Sequence, residues 1–183
     1  MYIRIIPIGN IPRKILEALS TELSEILNSR VKILDSVKVP HDAYNHWRKQ
    51  YDAKKIIQNL SELSQTKFID KSMPLLYVID EDIYFSGLNF IFGLEDPIQG
   101  ACIISITRLR NEFYDLKPNL SILIERSVKE AIHELGHFMG LEHCSHPFCV
   151  MCFSPSVGDI DRKQKDFCRD CKYKLSLKGY KIE

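Results

Sequence analysis

The stretch His133-Glu134-Leu135-Gly136-His137-Phe138-Met139-Gly140-Leu141-Glu142-His143-Cys144 carries most of what this chain discloses. Two histidines four residues apart lie on one face of an α-helix, where both imidazoles reach one metal ion. Glu134 points to the same pocket without being needed as a ligand. Gly140 adopts φ > 0 at little cost, so the helix ends and the chain swings back to bring in His143. Three neutral nitrogen ligands, an open fourth position and a nearby carboxylate form the layout of a zinc hydrolase. With 6 histidines among 183 residues, H-E-x-x-H arises by chance in about 1% of chains of this composition. Gly140 and His143 at their fixed offsets lower that to about two in 100,000 on the same reasoning. The motif is therefore read as a metal site, with Glu134 as the general base toward a zinc-bound water and toward the leaving amine.

Working outward, a helix from 119 to 139 should carry the motif, with Ile124, Val128, Ala131, Ile132, Leu135 and Met139 as its buried stripe. Upstream, 2–8 reads as a strand. A helix follows with Asn10 as N-cap and Pro12 in its first turn. Residues 31–39 read as a second strand and 43–63 as a second helix, with Tyr51, Ile56, Ile57, Leu60 and Leu63 inward. The runs 75–79 and 101–106 are apolar and β-branched, as inner strands are. Between them, 84–94 is aromatic and glycine-punctuated, which fits an edge strand or hairpin. The order β-α-β-α-β-β-β-α predicts an α/β (α+β) domain, with a mixed sheet over the motif helix and residues 1–183 as one unit.

Six cysteines are present, five of them between Cys144 and Cys171. Short spacings in a chain without disulfide context point to metal. Two ligand sets are open: Cys149, Cys152, Cys168 and Cys171, or Cys144, Cys149, Cys168 and Cys171. Either would be a closed, structural tetrahedral site. Cys102, alone in a strand, reads as a buried thiol. His146 is a rival third ligand, but Pro147 and the cysteines place it in a loop serving another site. His41 and His46 read as surface residues. Met151, taken alone, reads as a core methionine; beside the upstream motif it could supply a soft apolar floor to the three-histidine site.

Net charge is +1 and hydrophobic content 45%. That balance argues against broad attraction to nucleic acid or membranes. No segment approaches the length of a membrane span, and the start MYIRIIPIGN has no signal-peptide pattern. A cytoplasmic, monomeric protein is expected.

The full pattern, His133-Glu134-xx-His137-xx-Gly140-xxx-Cys144-xxxx-Cys149-x-Met151 and then Cys168-xx-Cys171, resembles the archaemetzincins, a branch of the metzincin zinc peptidases. Weaker likeness continues at 87–93, 103–109 and 113–118. The resemblance implies a metzincin fold with Met151 in the Met-turn. It also implies a catalytic zinc on His133, His137 and His143, and a second, structural zinc on Cys144, Cys149, Cys168 and Cys171, two ions in all. Its substrate would be a peptide or unfolded protein. Two departures stand out: the gap from Met151 to Cys168 is one residue shorter than the family pattern, and Cys152 is an extra thiol.

Two other functions compete. One is a non-hydrolytic two-zinc module, docking protein or RNA through Arg162, Lys163, Lys165, Arg169, Lys172, Lys174, Lys178 and Lys181. The other is a zinc amidase with the same metal chemistry. The strand near 88–94 is the expected cleft wall, and Glu95, Asp96 and Pro97 are expected to narrow it.

Overall fold

A computed structural model describes residues 1–63 and 73–182, with the Leu63 side chain outside the description. In chain order the elements are β1 (Tyr2–Ile8), α1 (Arg13–Ile26), β2 (Arg30–Ile33), β3 (Tyr44–Asn45), β4 (Gln50–Asp52), α2 (Ala53–Leu63), β5 (Leu75–Ile79) and β6 (Ile83–Tyr84). They continue with β7 (Gly93–Asp96), β8 (Ala101–Ser105), α3 (Leu120–Phe138), α4 (Val157–Arg162) and α5 (Arg169–Leu177).

The main sheet has the order β2-β1-β5-β8-β7. Its first four strands are parallel and β7 is an antiparallel edge. Strand alternation sends residues to two cores. Ile3, Ile5, Leu76, Val78, Cys102 and Ile104 face α1 and α3. Ile6, Ile8, Tyr77, Ile79 and Ile103 face α2, whose Ile56, Ile57 and Leu60 are buried. Both faces of the sheet are covered, which is why β5 and β8 read as unbroken apolar runs. The class is α/β with a mixed sheet, as the element order predicts.

The motif helix α3 starts as expected. Asn119 is its N-cap and accepts from the Ile122 amide at 3.1 Å. Leu123 joins the buried stripe, while Ile124 is only partly covered.

Several boundaries differ from expectation. The α1 cap is Pro12, not Asn10, because the Pro12 carbonyl receives the Ile15 amide at 2.9 Å. Strand β2 stops at Ile33, and only an isolated bridge from Val37 to Ile8 continues it. Ala43 closes a short 3-10 turn, His41–Ala43, and residues 44–52 are not helical. Asn45 Oδ1 accepts the amides of Trp47 and Arg48, each at 3.1 Å, and Lys49 takes φ 54°. That side-chain turn reverses the chain into the β3–β4 hairpin, so Tyr51 lies on a strand and α2 begins at Ala53. The hairpin joins β6 in a second, three-stranded sheet. Past Gly140, α4 and α5 also form, where apolar periodicity was too sparse to be read.

Candidate active site and metal centre

Helix α3 presents His133, Glu134 and His137 from beneath the sheet. Gly140 has φ +86° and ends the helix, as predicted. The Leu141 amide returns to the Gly136 carbonyl at 2.9 Å, and His143 then reaches the histidine pair. The ligating atoms of His133, His137 and His143 lie within 4.8 Å of one another. His146 is absent from that group; it is exposed, and its Nδ1 accepts the Phe148 amide at 3.3 Å. His41 and His46 are exposed.

The ring nitrogens test the fit to zinc. His133 Nδ1 bonds the Val150 carbonyl at 2.8 Å, and His137 Nδ1 bonds the Leu141 carbonyl at 2.9 Å. A carbonyl only accepts, so both Nδ1 atoms carry the proton and both Nε2 atoms present lone pairs. Those Nε2 atoms stand 3.1 Å apart. Two nitrogens on one tetrahedral zinc would stand roughly 3.3 Å apart, given Zn–N distances of about 2.0 Å. Burial lowers the pKa of His133 well below its ordinary value, assisted by Lys163, and lowers His137 and His143 as well. Neutral imidazole is the form a metal needs.

The four cysteines form the other cluster. Sγ of Cys144 lies 3.7 Å from Cys168, and Sγ of Cys149 lies 3.8 Å from Cys171. Thiolates about 2.3 Å from one tetrahedral zinc stand about 3.8 Å apart. The clustered set is Cys144, Cys149, Cys168 and Cys171, without Cys152. Burial pushes the Cys149 thiol up to about 11 and raises Cys171 too. At Cys168 burial acts the same way, but the Cys171 amide and neighbouring thiols overcome it and lower its pKa.

Residues 149–151 belong to both clusters. Cys149 supplies a thiol, the Val150 carbonyl holds His133, and the Met151 carbonyl accepts the Cys144 amide at 2.9 Å. Met151 is fully buried under α3. Gly136 makes that possible, because a Cβ there would meet Met151 Sδ at 2.3 Å.

The histidines open onto a cleft of about 400 Å³. Residues 88–94 form one wall, as expected, but 85–92 are turn and irregular chain rather than strand, the edge strand β7 beginning only at Gly93; Phe153 and Pro155 form the other wall. Glu95 lines the cleft, but Asp96 turns away to accept the Ile98 amide at 2.9 Å. Gly93 on β7 is another residue that sequence reading did not single out. A Cβ there would come within 2.5 Å of Glu134 Oε1, so the edge strand approaches the carboxylate only as glycine.

A further missed pair lies at the cleft floor. Lys163 Nζ is 2.9 Å from Glu130 Oε1, and both side chains are buried. The contact is out of line for a hydrogen bond, so charge alone holds it. The sequence places Lys163 among the basic residues of a docking surface; at the end of α4 it is instead buried against α3. Burial, then repulsion from Glu130, raises the Glu134 pKa well above the usual carboxylate range, and Lys163 opposes them. Cys102 is a core thiol whose Sγ contacts the Glu134 carbonyl at 3.4 Å.

Residues 8–177 match the family model described as Peptidase family M54. The chain is 40% identical over 176 residues to an archaemetzincin of Pyrococcus furiosus, covering 93% of this chain and 90% of that protein. It is 38% identical to one of Methanocaldococcus jannaschii, covering 100% and 97%. A zinc-dependent peptidase from Methanocorpusculum labreanum superposes with TM-score 0.86 at 33% identity, covering 94% of this chain and 99% of that one. The archaemetzincin of Archaeoglobus fulgidus, complexed with malonate, gives TM-score 0.80 at 36% identity, covering 95% and 99%. The fold and site define a zinc metallopeptidase, a hydrolase. This chain belongs to peptidase family M54, the archaemetzincins. Among the described residues no helix is long and apolar enough to cross a membrane.

Proposed function

We propose that the chain cleaves peptide bonds with Glu134 as general base, at a zinc held by His133, His137 and His143. A second zinc on Cys144, Cys149, Cys168 and Cys171 would tie segment 144–183 to the rest of one domain. The observation that carries this reading is the pair of Nε2 lone pairs 3.1 Å apart above Glu134, at the floor of an open cleft. When bound, the ion supplies a water of lowered pKa and polarises the scissile carbonyl.

The chain's own residues do the rest. His133 and His137 are oriented by main-chain carbonyls and cannot rotate away. Glu134, lining the cleft beside the histidines, takes the proton of the attacking water and delivers it to the leaving amine. The free edge of β7 offers backbone groups to an extended substrate. Glu134→Gln keeps shape and removes the base, so it should lower kcat by about 10²–10⁴-fold with zinc content unchanged. Cleavage of dye-labelled denatured casein measures this, and undiminished cleavage would sink the mechanism.

The basic segment gives the RNA-docking alternative little support. Of its eight cations, Lys163 is buried against Glu130, and Lys165, Lys172 and Arg162 pair with Glu22, Asp166 and Asp159.

A further inference from the structure

Beside the cleft lies a second groove, of about 380 Å³, whose lining residues include Tyr44, His46, Trp47 and Tyr84. It belongs to the β3–β4 hairpin and β6. The groove and the cleft share a wall: Tyr84 faces the groove, and the next residue, Phe85, faces the cleft. Arg48, in the hairpin turn, lies 4.3 Å over the Tyr84 ring. Its Nη2 donates to the carbonyls of Leu88 and Asn89 at 2.7 and 2.9 Å, and both residues line the cleft. Gln50 donates to the Asn89 carbonyl at 3.0 Å. The hairpin thus braces the cleft wall from outside.

Trp47 is the chain's only tryptophan. It is 98% exposed, against 73% for Ile98, the next most exposed large apolar side chain among the described residues. Its backbone is fixed, because Asn45 Oδ1 holds the amides of Trp47 and Arg48. A large ring on a fixed turn presents contact area at low entropic cost. The charged groups of the groove are already engaged. Asn59 donates to Asp42 Oδ2 at 2.7 Å, Lys55 bonds the Asp42 carbonyl, and Asp52 accepts the Lys55 amide at 3.1 Å. The rings are left as the recognition surface, which suits an apolar or aromatic side chain rather than an ion.

We propose that this groove is an exosite for the substrate polypeptide: an extended, unfolded chain seated in the cleft crosses the Tyr84–Phe85 wall and lays an apolar or aromatic side chain against Trp47. The inference rests on the peptidase reading for its occupant, and the wall shared with the cleft selects that occupant over an unrelated partner.

The sole tryptophan makes the test direct. Zinc-loaded Glu134→Gln protein is titrated with a tryptophan-free unfolded probe, reduced and carboxymethylated ribonuclease A, while indole emission is followed. The expected result is a saturable blue shift. With Trp47→Ala in the active protein, the ratio of kcat/KM for the unfolded probe to that for a short quenched peptide should fall by about 5–30-fold, the size of a 1–2 kcal/mol contact. Silent emission overturns the exosite whether or not wild type cleaves the probe, and so does an unchanged ratio. A blue shift with no cleavage by wild type keeps the groove and removes the peptidase reading; cleavage with silent emission does the reverse.

Discussion

The histidine cluster and the cysteine cluster are joined through residues 149–151 yet differ in enclosure. The histidines run from buried His133 through half-buried His137 to exposed His143, at the mouth of a cleft. The cysteines alternate buried and half-buried and pack into the main core with Phe167 and Leu175. An open ligand set leaves room for water and substrate, whereas a closed one can only hold the chain together. The difference teaches that the nearby C-terminal segment serves the cleft indirectly. It sets the height of Met151 and the angle of His133.

The largest effect that could break this contrast comes from the closed site. Cys149→Ser should cost up to the order of 10 kcal/mol of the folding energy supplied by a structural zinc, seen as collapse of the thermal transition. Zinc should also be lost from the histidines, since Val150 orients His133. Elemental analysis that finds the histidine zinc retained would make the two sites independent. Metal capture must expel protons from the thiols, with Cys149 pushed up to about 11 by burial, so wild-type zinc affinity should rise as pH rises and fall in acid.

Next in size is the ion pair at the cleft floor. Lys163→Met leaves Glu130 buried without its counter-charge and should destabilise by about 3–5 kcal/mol. Adding Glu130→Leu should recover most of that loss. Urea midpoints of the two variants decide it; equal midpoints would mean the pair carries no such penalty.

The smallest effect sharpens the open site alone. Gly93→Ala presses a methyl group on Glu134, so kcat should fall about 10–100-fold through misplacement of the carboxylate. Zinc content and thermal stability should barely change. A fall in zinc content instead would show that β7 supports the ligands as well as the base.

Much of this was legible in the chain. Asn119, the 3.6-residue apolar repeat and Gly140 mark both ends of α3, and the parallel strands announce themselves as β-branched runs. The hairpin at 44–52 was misread as helix because the spacing of Ile56, Ile57 and Leu60 was extended back to Tyr51, which lies five residues before Ile56 and off the helical period. The turn rests on one Asn45 side chain and one left-handed residue, too local for periodicity to register. Lys163 was misread because a lysine between charged neighbours looks solvated until its partner, thirty-three positions upstream, is known.

By itself the sequence determined the metal ligands as candidates, the helix that presents them and the class of fold, because those follow from fixed local periods and from ligand chemistry. Only the tertiary structure decided which cysteines converge, that β7 can pass Glu134 only as glycine at Gly93, and that the groove bearing Trp47 adjoins the cleft. These are distances between segments far apart in the chain, and no local rule fixes where a sheet edge, a turn and a helix meet.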